Sequence, residues 1–232
     1  MIAAILRRLE GCGTIAVGAS SPLPATAALL AGAKWGARVL MLGSRRHTSF
    51  TDGGRELFDC AAQGRIDAFF LSGGQIDGQG NVNLIGTGSY PDELRQRFPG
   101  SFGSAYLAFV VPRVILFREE HTPRTTPLRV DVISAPGTSP PEIYRRGGPV
   151  ALVTGRCVFA FERERGRFSL ESVHEGETVE GVREATGFEF DEPAPPVTSP
   201  LLTAADRALL ADRVIDELAE TYPVFAAQLA AA

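Results

Sequence analysis

The chain is poor in the features that settle function at a glance. Its three cysteines, Cys12, Cys60 and Cys157, are far apart and include no CxxC pair. That supports neither a zinc site nor a disulfide framework, and it fits a reducing, cytoplasmic setting. The histidines His47, His121 and His174 have no metal-ligand spacing to one another or to a cysteine, so no metal is expected. No apolar run approaches the ~20 residues of a membrane span, so no membrane partner is expected. The opening MIAAILRRLEGCG is apolar and then basic, the reverse of a signal peptide's order. Net charge is −4 with both signs interspersed, whereas a nucleic-acid binder carries a basic stripe, so no nucleic-acid partner is expected. There is no internal repeat and no low-complexity tract beyond the alanine tail.

What is present is a core-forming composition, 44% hydrophobic over 232 residues, enough for one large domain or two small ones. Apolar runs alternate with helical stretches, the pattern of an α/β sheet with helices on its faces. Strands are expected at Thr14–Val17, Arg38–Leu42, Ile66–Leu71 and Val114–Phe117. Helices are expected at Ala25–Ala33, after Pro24, and at Gly54–Ala62, closed by Gly64. After Phe117 the texture turns β-rich. Leu128–Ser134 alternates as a strand does, Pro149–Ala160 is β-type, and Phe161–Leu170 reads as a hairpin with Gly166 at its tip. Thr178–Thr186 reads as a small helix capped by Thr178. Residues 190–202, with Pro193, Pro195, Pro196 and Pro200, read as a linker, and 203–220 as an amphipathic terminal helix. The whole, 1–232, is expected to be a single domain.

Two glycine clusters carry the chemistry. In LSGGQIDGQGNVN, Leu71–Asn83, small residues and amides follow an apolar strand. Gly73, Gly74, Gly78 and Gly80 permit close backbone approach, while Gln75, Asp77, Asn81 and Asn83 offer directional polar groups. This reads as a ligand-facing loop; an aspartate such as Asp77 in a turn more often caps neighbouring N–H groups. The second cluster, FPGSFGSAY, has Gly100 and Gly103 bracketing Ser101, with Ser104 following. Backbone N–H groups there suit a phosphate or an oxyanion, although the cluster is neither GxxxxGK[ST] nor GxGxxG.

Together these stretches resemble a family I coenzyme A transferase subunit, over most of the chain. GGQIDGQGNVN is similar to that family's GxxQxDxxGNxN stretch, and FPGSFGSAY to its glycine-rich GxGGA-type loop. VILFREEHTPR resembles its strand followed by Glu-His-Thr, here Glu120, His121 and Thr122. GGPVALVTGRCVFAF and ESVHEGETVEGVREATGF resemble its later strand pair and its Thr-Gly ending, in an order most like the β subunit of the glutaconate-type branch. The resemblance implies a three-layer α/β/α fold with a mostly parallel sheet, a C-terminal β-rich excursion and a terminal helix. It implies coenzyme A thioesters as substrates, no bound cofactor, and Gly73, Gly74, Gln75, Asn81, Gly100, Ser101, Gly103 and Ser104 at the CoA or substrate site.

The family's reaction begins when a glutamate attacks the acyl-CoA thioester. That glutamate sits in a Ser-Glu-x-Gly turn after a strand; here RVLML is followed by Gly43, Ser44, Arg45, Arg46 and His47, with no glutamate. Glu56 reads as a first-turn helix residue favoured by the dipole, and Glu120 as a hydrogen-bonding residue, so both are weak candidates. Arg45, Arg46 and His47 read as solvated loop residues or as a face for an anionic substrate. The departure implies a hetero-oligomer in which an α-type subunit supplies the nucleophile. The alternatives are a subunit of a CoA-thioester or ring-opening CoA-ester hydrolase, and a non-catalytic homomeric binding protein of the same fold. A sugar-phosphate isomerase on a related sheet lacks a matching acid/base cluster.

Overall fold

Short apolar runs punctuated by glycine and proline set the elements. In chain order the computed structural model has α1 (Ile2–Arg8), β1 (Thr14–Val17), α2 (Pro22–Trp35), β2 (Arg38–Met41), α3 (Gly53–Ala62), β3 (Ala68–Leu71), β4 (Gln75–Ile76) and β5 (Val82–Asn83). β6 (Gly86–Ser89), β7 (Glu93–Arg97), α4 (Ser104–Val110), β8 (Arg113–Arg118), β9 (Pro149–Thr154), β10 (Cys157–Glu162), β11 (Arg167–Val173) and α5 (Val179–Ala185) follow. Last come β12 (Val197–Thr198), α6 (Ala204–Leu209), a π-helical turn (Leu210–Val214), α7 (Ile215–Ala219) and α8 (Pro223–Ala230). The structure describes residues 1–48, 50, 52–192 and 197–231; Pro193, Pro195 and Pro196 of the expected linker lie outside them.

The chain divides into two compact units, residues 1–70 with 200–232, and residues 71–199. In the first, β1 lies between β2 and β3, all parallel, with Ile15 opposite both Val39 and Ala68. α2 starts on prolines in its first turn and ends at Gly36, whose φ of 74° suits glycine. Leu23 through Ala31 are all buried, so α2 is a core helix of small and aliphatic residues. The C-terminal helical run docks on it: Thr203 and Asp206 form a reciprocal capping box, and Asp206 also binds Lys34 Nζ at 2.7 Å.

The turn after β2 is tied down by acids of that same helical run. Glu220 accepts from Ser44 Oγ at 2.5 Å and from the Arg45 N–H at 2.8 Å. Arg46 pairs with Asp216 at 2.8 Å, and His47 Nε2 lies 3.0 Å from a Glu217 oxygen. The loop is thus tied to the helical run by ion pairs, while the Arg45 side chain stays solvated, as one of the two expected readings had it.

In the second unit β8 pairs parallel with β9, β9–β10–β11 run antiparallel, and β12 joins β11 in parallel. Of the strand pairs named above, four are parallel and two antiparallel, in keeping with the expected mostly parallel α/β class and its later β-rich stretch. The hairpin at Gly166 is present, with a glycine φ of 60°. A phenylalanine cluster fills this unit: Phe159 lies 5.0 Å from Phe190 and 5.8 Å from Phe188, and Phe161 lies 5.0 Å from Phe168. The expected strand Leu128–Ser134 is instead an irregular strap. Gln75 and Asp77 side chains take its Asp131 and Val130 N–H groups, so no ladder is needed there. The β6–β7 hairpin was not expected from the sequence.

Ser44 Oγ and then the Arg45 N–H hold the Glu220 pKa down to about 2. A depressed carboxylate contributes stability that is full above its unfolded value, ~4.3, and that is lost as pH falls through the folded one. Thermal melts of the protein and of Glu220→Gln should therefore differ at neutral pH and converge between about pH 4 and 2. An equal gap at pH 7 and pH 2.5 contradicts this.

Candidate functional site

β3 leads into LSGGQIDGQGNVN, which folds back on itself as β4, a turn and β5. Asp77 Oδ1 accepts the N–H groups of Gln79 and Asn81 at 3.0 and 3.1 Å, the local cap that lets the chain reverse. Gln75 Oε1 receives Asn83 Nδ2 at 2.7 Å and the Asp131 N–H at 2.9 Å. Asn81 bonds Asp77 through Nδ2 and accepts the Gly137 N–H at 3.0 Å. All four polar side chains are buried, and each hydrogen-bonds within the chain. The close approach their glycine neighbours permit is made by the chain itself. A Cβ on Gly73 would stand 2.5 Å from Val82 Cγ1 and 2.9 Å from the Asn83 carbonyl oxygen, and one on Gly74 would overlap the Phe98 ring. Gly78 and Gly80 receive Phe188 and Phe161 in the same way.

Phe98 joins the two glycine clusters. It packs on Gly74, donates its N–H to Ile85 O at 2.9 Å, and leads into Gly100, which sits at φ 101° and donates to Leu84 O at 3.0 Å. Ser101, Gly103 and Ser104 are half-buried at the start of α4, where the Ser104 N–H reaches Ser101 O at 2.8 Å. Between them Phe102 is exposed and holds φ 45°, an uncommon setting for a bulky residue.

At the end of β8 a third feature adjoins the first cluster. Arg118 donates through Nη1 to Gly73 O at 3.1 Å and through Nη2 to Glu120 at 3.3 Å. Arg124 Nη2 reaches both Glu120 oxygens at 2.7 Å, and Thr122 Oγ1 adds a bond at 3.1 Å. Partial burial opposes ionisation, but Arg124, Thr122 and Arg118 outweigh it and keep the Glu120 pKa below the usual range. His121 next door is buried, with Nδ1 and Nε2 each 2.8 Å from a threonine hydroxyl, Thr154 and Thr186. Burial and then the charge of Arg156 lower its pKa to about 4, so it is a neutral strut at pH 7. Burial likewise pushes the Cys157 thiol up to about 12, which makes it an inert core residue.

Residues 14–185 match the family model described as coenzyme A transferase. The chain belongs to that family. It is 33% identical over 132 residues to the B subunit of 3-oxoadipate CoA-transferase from Pseudomonas knackmussii, covering 54% of this chain and 50% of that one. It is 31% identical over 129 residues to the B subunit of glutaconate CoA-transferase from Acidaminococcus fermentans, covering 53% and 47%. The matched stretch thus spans about half the length of these curated relatives. The fold is shared with Rhodococcus jostii RHA1 IpdAB, at TM-score 0.79, 23% identity and 91% coverage of each chain. It is also shared with the decarboxylase AibA/AibB, at TM-score 0.77, 23% identity, and 100% and 97% coverage.

For a coenzyme A transferase family member, the turn after β2 is then the notable place. It carries no glutamate, and Ser44, Arg45, Arg46 and His47 all engage helical acids. Glu56 accepts the Asp52 N–H at 3.3 Å at the start of α3, the first-turn role the sequence suggested. Gly73, Gly74, Gln75, Asn81, Gly100, Ser101, Gly103, Ser104 and Glu120 all fall in the second unit, and Glu56 in the first. Arg118 was missed; its position at the end of an apolar strand, two residues before a glutamate, was the available signal. Among the described residues no His, Cys, Asp and Glu group is arranged to hold a metal, and no helix is long and apolar enough to cross a membrane.

His121 carries a testable pH signature. Its folded pKa lies below the unfolded value of 6.5, so its contribution is present above pH 6.5 and is withdrawn as pH falls to about 4. That contribution is on the order of 3 kcal/mol. The urea midpoint of the protein should drop more steeply than that of His121→Asn between those values. Parallel pH profiles count against a neutral buried imidazole.

Proposed function

We propose that this chain is the β-type subunit of a coenzyme A transferase, moving CoA between an acyl-CoA and a carboxylic acid. The carrying observation is the turn after β2, where the expected nucleophile is missing and the side chains are bound up with Asp216, Glu217 and Glu220. In this reading an α-type subunit supplies the glutamate; the B-subunit names of both curated relatives support a partner subunit. In this reading the partner's carboxylate attacks the thioester carbonyl, giving an acyl anhydride and a CoA thiolate. The thiolate then returns to the glutamyl carbonyl, releasing the first acid; a second carboxylate attacks that glutamyl thioester, and the CoA thiolate it displaces takes the new acyl group from the resulting anhydride, freeing the glutamate.

This chain's part is to form one wall of the site. Gly100, Ser101, Gly103 and Ser104 offer backbone and hydroxyl donors to the developing oxyanion or to CoA. Gly73, Gly74, Gln75 and Asn81 fix the adjoining backbone, with Phe98 as the link. We take 1–232 as one CoA-transferase-like domain working in the cytoplasm with no bound cofactor; the family match running through both units supports the first point.

Two outcomes follow. Co-expression with an α-type chain yields a heteromer with acyl-CoA-dependent transfer, and hydroxylamine trapping places the glutamyl adduct on the partner's peptide. Robust turnover by this chain alone refutes that division of labour. In the heteromer, Gly103→Val weakens coenzyme A ester binding by about tenfold or more, because a branched Cβ blocks approach to the backbone. Unchanged binding removes the 100–104 loop from the site.

A further inference from the structure

The 100–104 loop holds a bulky ring out toward solvent. Phe102 is 81% exposed, and its φ of 45° is a strained setting for a residue with a large side chain. Ser101, Gly103 and Ser104 around it are half-buried, so the ring stands out as a knob. A residue lining a pocket of this chain would be walled by that pocket, and a ring this exposed is not. Tyr106, four residues on in α4, is 43% exposed. The same root carries an arm. Among the described residues β6 and β7 pair only with each other, and the N–H groups of Phe98 and Gly100 continue their ladder to Ile85 O and Leu84 O at 2.9 and 3.0 Å. From Ser89 to Arg97 every residue is exposed except the half-buried Leu94, and Tyr90 at the turn is 58% exposed. A two-stranded ribbon is marginal by itself in water. Its acids, Asp92 and Glu93, balance Arg95 and Arg97, which suits a protein surface better than the phosphates of coenzyme A.

We propose that Phe102 is the anchor by which this chain docks on its α-type subunit, entering an apolar pocket there, with the β6–β7 ribbon lying along the same partner. This rests on the transferase reading and adds where the two chains meet. That reading also fixes the occupant. The partner's carboxylate has to reach a thioester held at the 100–104 donors, and Phe102 sits between Ser101 and Gly103. A protein surface that brings a carboxylate to those neighbours covers the ring as well, so the docking face is continuous with the junction where the reaction takes place. Burying the ring removes apolar surface from water and offsets the strained φ. A few aromatic anchors of this kind carry most of an interface's energy. Tyr90 and the ribbon's mixed charges supply the polar rim around the anchor.

The test co-expresses the full chain with an α-type coenzyme A transferase chain and follows dissociation of the heteromer by sedimentation on dilution. Phe102→Gly removes the ring and suits the positive φ, so a loss of assembly is not a loss of fold, which a thermal melt of the chain alone checks. The variant is expected to weaken the heteromer by about thirtyfold or more, the effect of losing one aromatic anchor. Phe102→Tyr keeps the ring and restores most of the affinity. Should Phe102→Gly fold poorly, Phe102→Asn, also at home at positive φ, gives the same loss. Amide hydrogen exchange over residues 86–97 is expected to slow by about tenfold or more when the partner binds. Exchange unchanged there removes the ribbon from the interface. A Phe102→Gly chain that assembles as tightly as the parent overturns the anchor, and altered acyl-CoA kinetics in that case place the ring in the substrate pocket. In either of those results a heteromer that still turns over leaves the transferase reading standing. Failure of the parent chain to form any heteromer sinks the docking face and that reading together.

Discussion

Asn83 donates to Gln75 at 2.7 Å in a space closed to water, and the second unit is arranged around that bond. A buried amide pair is stable only if its remaining valences are met. The same Gln75 oxygen takes the Asp131 N–H, and Asn83 Oδ1 takes those of Ile85 and Gly86 at 3.0 and 3.2 Å. The pair thereby decides where the strap at 128–135 runs and how β5 passes into β6. It also forces the neighbouring residues to be small, because Val82 and Phe98 must close over Gly73 and Gly74 to keep the amides dry. Losing either amide leaves several backbone groups unpaired at once, which is why both types are needed at that spacing.

This network changes the meaning of a glycine-rich signature. Glycine runs next to amides suggest a ligand, since a missing Cβ invites close approach. Here the approaching groups are the chain's own aromatic rings, with Phe188 over Gly78 and Phe161 over Gly80. In the 100–104 loop, by contrast, Gly100 has open space around it and needs glycine only for its φ of 101°. Rigid support and exposed donors are supplied by different loops, joined through Phe98.

What could be read from the sequence follows from how local each cause is. β1, α2 and the β10–β11 hairpin were legible because their apolar runs and their glycines or prolines act within a few residues. The strap at Leu128–Ser134 alternates as a strand does, yet its Val130 and Asp131 N–H groups go to side chains more than fifty residues away, which no local pattern records. The β6–β7 hairpin has polar, mostly exposed residues and glycines at 86 and 88 that a Cβ would drive into β7, so it lacks the apolar alternation that marks a strand. At the site, the type and place of the glycine clusters were legible. Arg118 was not, because its contact with the first cluster is to the Gly73 carbonyl, 45 residues away in the chain.

The two arginine clusters show how charge balance separates scaffold from site. Around the turn after β2, Arg45, Arg46 and Arg213 face Asp216, Glu217 and Glu220, three charges against three. Those pairs fix the turn in place against the helical run. At the end of β8, Arg118 and Arg124 face Glu120 alone. There the surplus charge is anchored to a backbone carbonyl rather than to a second acid, which holds a cation in position without neutralising it. A protein that only needed to stabilise this corner would gain more from a matching carboxylate than from Gly73 O. The imbalance leaves a surplus of positive charge beside the first glycine cluster, held in place by Gly73 O and not by a second acid.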